Sequence, residues 1–318
     1  MTEQQTDHPS LPPQSRTPGR FVVYHGHVTT SRRLLTTAWL CIAAGLGWML
    51  LFLIFPSLFV AVLSFAGRDP YGQILWEFSF KNFHRLAGYG IFGWSPTYLY
   101  IFGRSLYVAF WVTVISIALS YPLSFYICRL TPRGRLIALS LIIIPMCTNL
   151  VIRTYAWELL LSPQLPPAQL CAYLGLIPEG RALYPGTVAV YLGMISYSLP
   201  YALLPLYTNI ERLDWSIAEA ARDLYASETR VFLKAILPQT WPGLSVAVLL
   251  SFVPAMGMFV VTNRLGGANF MLVGNLIQQQ FGASRDYPFG AAISLVLIVL
   301  TLIGLYFYRR QDRKVELL

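Results

Sequence analysis

The sequence predicts an all-α, polytopic membrane protein with six transmembrane helices and both termini in the cytoplasm. Three observations predict it. Of the 318 residues, 56% are hydrophobic and only 12% charged, half the roughly 25% charged share of an ordinary soluble domain. Uncharged windows long enough to cross a bilayer recur along the chain. Lys and Arg are divided unevenly between alternate connections, which sets the orientation.

Residues 1–33, with Pro12, Pro13 and Pro18 among polar side chains, read as a flexible cytoplasmic tail. Uncharged windows then run over 34–67, 105–128, 182–210, 235–263 and 287–308. A shorter one, 136–152, is followed by Arg153 and Thr154-Tyr155-Ala156-Trp157. Trimmed to their apolar centres, these place spans near 36–64, 105–128, 136–157, 187–207, 243–262 and 288–308. Ser64-Phe65-Ala66 resembles a signal-peptide cleavage site, but the preceding run is about twice the 7–15 residues of a signal core. An uncleaved first helix within 34–67 is expected. The external loop 68–104 carries Trp76, Phe78, Phe80, Phe83 and Trp94, aromatic surface expected to fold onto the helix ends. Five spans over 105–308 form the core, and 309–318 is a basic tail.

The connections placed inside hold four Arg in the tail and three at Arg129, Arg133 and Arg135. They add four from Arg212 to Lys234 and four from Arg309 to Lys314, against seven Lys and Arg in the outer loops. The net charge of +9 is therefore a property of topology and needs no nucleic-acid partner. Cys41, Cys128, Cys147 and Cys171 are too scattered for a zinc knuckle or a CxxC pair and read as small hydrophobes. His25 and His27 flank Gly26 with no third ligand in sight, so no metal site is assigned. No span holds paired carboxylates or a His cluster, and no catalytic residue is assigned.

The most informative segment is the inner connection 208–242. Ser216 followed by Glu219 has capping-box spacing, predicting a helix start. Ala218, Ala220 and Ala221 favour the helix and leave room for close approach by another surface. Ser227 is placed to cap a second short helix with Val231, Phe232, Ala235 and Ile236 on one face, ended by Pro238. The prediction is two short amphipathic helices at the cytoplasmic surface. Their apolar face packs on the chain's own spans, on lipid headgroups, or on a partner.

This segment resembles the EAA loop of ABC importer permeases. The likeness rests on Glu219-Ala220-Ala221, then Asp223-Leu224 and Ala226, and Leu237-Pro238 and Pro242-Gly243 behind them. The resemblance implies the type I importer permease fold, and it implies that Ser216, Glu219, Ala220, Ala221, Asp223, Leu224, Tyr225, Ala226, Phe232 and Pro238 form the surface docked by an ATPase. The family normally has Gly where this chain has Tyr225. Either the turn is built differently here, or the ring serves the docking surface. The likeness extends over about residues 78–308 and is nearest to spermidine/putrescine-type permeases. Arg153-Thr154-Tyr155-Ala156-Trp157, Leu199-Pro200-Tyr201 and Pro288-Phe289-Gly290-Ala291-Ala292 carry that part. It implies an ATPase dimer that handles ATP and Mg, a second permease subunit of a different chain, an external or periplasmic solute-binding protein, and a bacterial inner membrane. Related permeases for ferric iron, thiamine or an amino-acid derivative share the softer matches, and an ion-gradient transporter is the rival of another class. The chain has no Gly-Lys pair, hence no P-loop of its own.

Polyamines need carboxylates and aromatic faces along their route. Candidates on the outer side are Trp157, Glu158, Tyr197, Asp286 and Tyr287, the aromatics offering cation–π contacts. The same residues also suit a belt of interfacial aromatics and solvated acids. Arg153, about 26 Å along a straight span from Leu136, is expected at the outer interface with Trp157 stacked on its guanidinium. Pro145 with Asn149 is the expected hinge.

Overall fold

The computed structural model describes residues 39, 42–43, 45–69, 71–90, 93–178, 180–267 and 270–315, with side chains to Tyr306. The tail expected over 1–33 lies outside these. The chain divides into two units at Phe59 and Val60. In chain order the elements are α1 (Gly45–Leu63), a ribbon of β1 (Gly67–Arg68) and β2 (Ile74–Leu75), and α2 (Lys81–Leu86). A second ribbon follows, β3 (Tyr89–Gly90) with β4 (Gly93–Trp94), then α3 (Thr97–Arg129), α4 (Pro132–Met146), α5 (Leu150–Leu160) and α6 (Pro166–Tyr173). The remainder is α7 (Thr187–Glu211), α8 (Trp215–Asp223), α9 (Glu228–Gly257), a π-helical turn (Thr262–Gly266), α10 (Val273–Phe281) and α11 (Tyr287–Val315).

The first unit contributes the greater part of α1, with a π-helical stretch at Leu50–Ile54. Counting α1, five helices among the described residues are long and apolar enough to cross a bilayer: α1, α3, α7, α9 and α11. The bent pair α4–α5 supplies a sixth candidate.

In the second unit α3, α7 and α9 pack together along their lengths. Their shared core includes Val108, Ala109 and Val112 of α3, Val190 and Met194 of α7, and Ala255 and Met256 of α9. Apolar helices have little hydrophobic drive to associate in lipid, so close packing of small residues must hold them. Ser105, Thr113, Ser116, Ser120 and Ser124 are buried along α3. Ser105, Thr113 and Ser124 donate to carbonyls one turn back at 2.8 Å, so their hydroxyls are satisfied within the helix. On α7 a Cβ at Gly193 would lie 2.7 Å from Leu265 and Val261, so only glycine admits the turn after α9 at this distance.

Several expected boundaries move. Span two begins at Thr97 and not near 105, because Arg104 is held over the Phe270 ring at 4.1 Å and need not end the helix. Span five begins at Glu228 and not near 243, and ends at Gly257. Pro238 therefore does not stop a short helix. The turn before it, Phe232–Ile236, is widened to π geometry, with the Leu237 amide reaching back to Phe232 O. That extra residue per turn accommodates a ring that would otherwise crowd the preceding carbonyl.

Span three is not straight. Its halves α4 and α5 meet at 98°. The bend falls between Pro145 and Asn149, whose side-chain oxygen caps α5 by accepting from the Val151 amide at 2.8 Å. Arg153 consequently sits one turn beyond a corner, and not 26 Å along a rod. It donates to the carbonyls of Pro145 and Thr148 at that corner. Trp157 does not stack on it, and its indole donates instead to Ser196 at 2.8 Å.

In the 68–104 connection the expected folding of aromatics holds for the phenylalanines. Phe65 stacks on Phe78 at 5.0 Å and meets Phe80 and Phe83 at 5.5 and 5.1 Å. Trp76 and Trp94 stay largely exposed. At the far end α11 continues as helix to Val315, into the segment expected to be a tail.

Candidate functional site: the coupling loop and the outer approach

Helix α8 starts two residues earlier than the capping-box spacing implies. Asp214 is the cap: its carboxylate accepts from the Ser216 amide at 3.0 Å. Ser216 reinforces this from inside the helix, and its hydroxyl and amide together hold the Asp214 carboxyl below the usual carboxylate range. Gln239 of α9 accepts from the Asp214 amide at 3.1 Å, tying the start of α8 to the long helix. The sequence reading missed Asp214 and Gln239, although an Asp directly before the helix at Trp215 is itself a cap signal.

The other end of α8 is closed by paired backbone bonds. The Ala226 amide donates to Ala221 O at 3.1 Å and the Tyr225 amide to Arg222 O at 2.8 Å. These are the 6→1 and 5→2 bonds of a Schellman motif, which needs a left-handed residue at the position after the cap. Tyr225 occupies it, with φ +57. The first alternative raised by the missing glycine is therefore not the case, since the turn keeps its left-handed geometry with Tyr225 in place, and the ring projects into solvent. Arg222 clamps the turn from outside, bonding Glu228 through two nitrogens at 2.9 and 3.1 Å, and this partner raises its pKa.

The inner face of the loop is packed. Ala218 with Val231, Ala235 and Ile236 of α9 forms a buried cluster with Leu213, closed by Phe125 of α3, Ala221 and Ala226. Ser227 stands at the start of α9 as expected but makes no side-chain cap bond there. Phe232 is partly exposed and meets the Tyr121 ring edge-on at 6.0 Å. The opposite face is not covered by this chain: Ile217 is 48%, Leu224 81% and Tyr225 97% exposed. Glu219, Ala220 and Asp223 are exposed beside them, and Pro238 is exposed on α9. The base of α9 thus carries a knob whose exposed surface combines apolar side chains with charged ones.

The residues named for the solute route fall into two groups. Trp157 and Tyr197 pack against one core, and Tyr197 pairs with Tyr201 at 5.1 Å. On the residue after Trp157, the Oε2 oxygen of Glu158 is buried and finds no hydrogen-bond partner among the described residues. Asp286 and Tyr287 lie elsewhere, at the start of α11. Asp286 is only 4% exposed and is bound by Arg85 at 2.8 Å and Arg68 at 3.3 Å. Its carboxylate is neutralised by the 68–104 connection, and Arg85 in turn covers the Phe289 ring at 4.0 Å. Asp286 therefore presents no free charge to a passing cation and fastens the loop to α11. Tyr287 meets the Phe281 ring at 6.2 Å.

Residues 120–317 match the family described as binding-protein-dependent transport system inner membrane component. The chain belongs to this family. It is 36% identical over 275 residues to the spermidine/putrescine transport system permease protein PotB of Escherichia coli (strain K12), covering 85% of this chain and 98% of that protein. PotB of Haemophilus influenzae is 35% identical over 274 residues, covering 85% and 93%. Among solved structures, a bacterial ABC transporter importing the acidic polysaccharide alginate superposes with a TM-score of 0.67 at 15% identity, over 92% of this chain and 99% of that one. The fold is thus that of an ABC importer permease, and the chain is an inner-membrane transport component.

Proposed function

We propose that this chain is one of two permease subunits of an ATP-driven importer of polyamines such as spermidine and putrescine. The PotB relatives supply the solute class. Six spans result when the bent pair α4–α5 counts as one, with both termini cytoplasmic as the Lys and Arg distribution requires. A separate ATPase dimer, holding ATP and Mg, receives the knob formed by α8 and the start of α9. A second, different permease completes the pathway, and a solute-binding protein delivers the polyamine outside. The observation that carries the reading is the exposed face of Ile217, Leu224 and Tyr225, held on a turn that is fixed from within by Ala218, Ala221 and Ala226. Such a rigid, uncovered apolar surface is the form of an interface core.

In this reading ATP-driven closure of the ATPase dimer moves α8, and because α8 is packed on the base of α9 the displacement enters the membrane bundle. The solute route passes Trp157, Glu158 and Tyr197. The buried Glu158 oxygen accepts from an ammonium group, and the neighbouring rings contribute cation–π attraction. Uptake of labelled spermidine, putrescine and thiamine into proteoliposomes of the complete importer tests it. Spermidine or putrescine should accumulate with ATP and binding protein, and Glu219→Arg with Ala220→Arg should abolish uptake while the protein stays inserted. Unchanged uptake would remove the coupling role, preference for thiamine would remove the polyamine assignment, and uptake driven by an ion gradient without ATP would remove the importer class.

A further inference from the structure

Two residues other than glycine have positive φ among the described residues, Tyr225 at +57 and Arg285 at +48. They lie toward opposite ends of the second unit, since α7 runs to the coupling loop and α9 runs back from it. A left-handed backbone is sterically disfavoured for any side chain beyond glycine, and such residues concentrate where a side chain is needed for function. Arg285 sits in the turn between α10 and α11, closed by Ser284 N to Gln279 O at 3.0 Å and Asp286 N to Gln280 O at 2.9 Å. The turn itself would accept glycine. The guanidinium is exposed, and no ion pair holds it among the described residues.

Beside it is a cavity of about 590 Å³ lined by Arg68, Tyr71, Trp76, Ser284, Arg285 and Tyr287, with others of the β1–β2 ribbon. It has two guanidiniums and no carboxylate in its lining. The nearest buried acid, Asp286, is already shared by Arg68 and Arg85, and Asp69 and Glu77 of the adjoining ribbon stand outside the lining. The cavity lies before the apolar stretch of α11, on the end of the second unit away from the coupling loop. A polyamine would be repelled there, which excludes it as a solute subsite.

We propose that this cavity is a docking socket for an acidic segment of the solute-binding protein, with Arg285 as its principal contact and Arg68, Tyr71 and Trp76 as its walls. The proposal rests on the permease reading above. It predicts charge-dependent recruitment: like charges at a rim change the encounter rate and its salt dependence more than the step that follows.

The complete importer in nanodiscs is titrated with the binding protein that supports its uptake, and the half-saturating concentration for stimulated ATPase activity is read at several salt concentrations. Arg285→Glu should raise that concentration about tenfold at low salt with the maximal rate unchanged, and should flatten its salt dependence. Arg285→Lys should stay within about twofold of wild type, and Arg285→Gly, which retains the turn, should rise about three- to fivefold. The shifts should be the same in phosphatidylcholine and in phosphatidylglycerol nanodiscs. An unchanged half-saturating concentration overturns the proposal, as does a shift confined to one lipid, which would assign the socket to headgroups. A fall in maximal rate alone would assign Arg285 a merely structural role. Absence of any stimulation in the wild-type importer would sink the permease reading itself, and the socket with it.

Discussion

Replacing Tyr225 by glycine separates the two things that residue does. Its ring is 97% exposed, so truncation removes no contact within the chain. Relief of the left-handed backbone is worth about 1–2 kcal/mol, and the greater freedom of glycine in the unfolded chain takes back about 0.5–1 kcal/mol. The loop should therefore be unchanged or slightly more stable, by up to about 1.5 kcal/mol. Docking should respond the other way. An aromatic ring of about 150–250 Å² would gain about 4–6 kcal/mol if fully covered. Partial cover and ordering reduce this to about 2 kcal/mol, or roughly a 30-fold loss of affinity on truncation. Hydrogen exchange over residues 221–228 measures the first quantity, and binding of the ATPase subunits to immobilised permease in nanodiscs measures the second. Tyr225→Phe should resemble wild type in both, and Tyr225→Ala should lose docking without gaining the glycine variant's local protection. A glycine variant that docks as tightly as wild type would refute the reasoning, because only the backbone turn would then matter.

Three further outcomes are expected. Asp286→Asn leaves Arg68 and Arg85 without their shared counter-charge, costing about 2–3 kcal/mol after allowance for two partly exposed guanidiniums. A lower unfolding temperature with faster proteolysis of the external loop reports it. Gly274→Ala places a Cβ 2.4 Å from Gly257 O, backbone that cannot rotate away, and should cost about 1–3 kcal/mol in thermal unfolding of the purified permease. The Asp214 cap should be lost in acid. Its folded pKa is depressed below 3.8, so its contribution is complete above that value and disappears as pH falls through the lower folded value. Exchange of the first α8 amides should be flat from neutral pH to about 4 and accelerate below it beyond the intrinsic rate, and Asp214→Asn should abolish that extra step.

Much of the helical frame was legible because it depends on composition. The windows that became α7 and α11 needed only their lack of charge, and the coupling segment needed only its spacing. What escaped depends on partners distant in sequence. Arg104 belongs inside α3 because Phe270 receives its charge, and nothing around residue 104 announces that. Pro238 reads as a stop until the π turn ahead of it is known. Asp286 looks like a free acid at a membrane entrance until Arg68 and Arg85 are brought to it by the folded external loop. Tyr225 shows the opposite case: the sequence displayed the departure from glycine plainly, but only the backbone angle reveals that the turn survives it.

Helix α9 carries 30 residues from Glu228 to Gly257, a length of about 45 Å. Its lower end is fastened to α8 and its upper end abuts Gly274 of α10. A beam of that length turns small angles into large travel: tilted by about 10° about its foot, its far end sweeps about 8 Å. In the proposed importer, leverage of this kind would let modest rearrangements among nucleotide-hydrolysing subunits open or shut a passage on the other side of the bilayer, with the π turn at Phe232–Ile236 and the prolines beyond it as the places where the beam can flex.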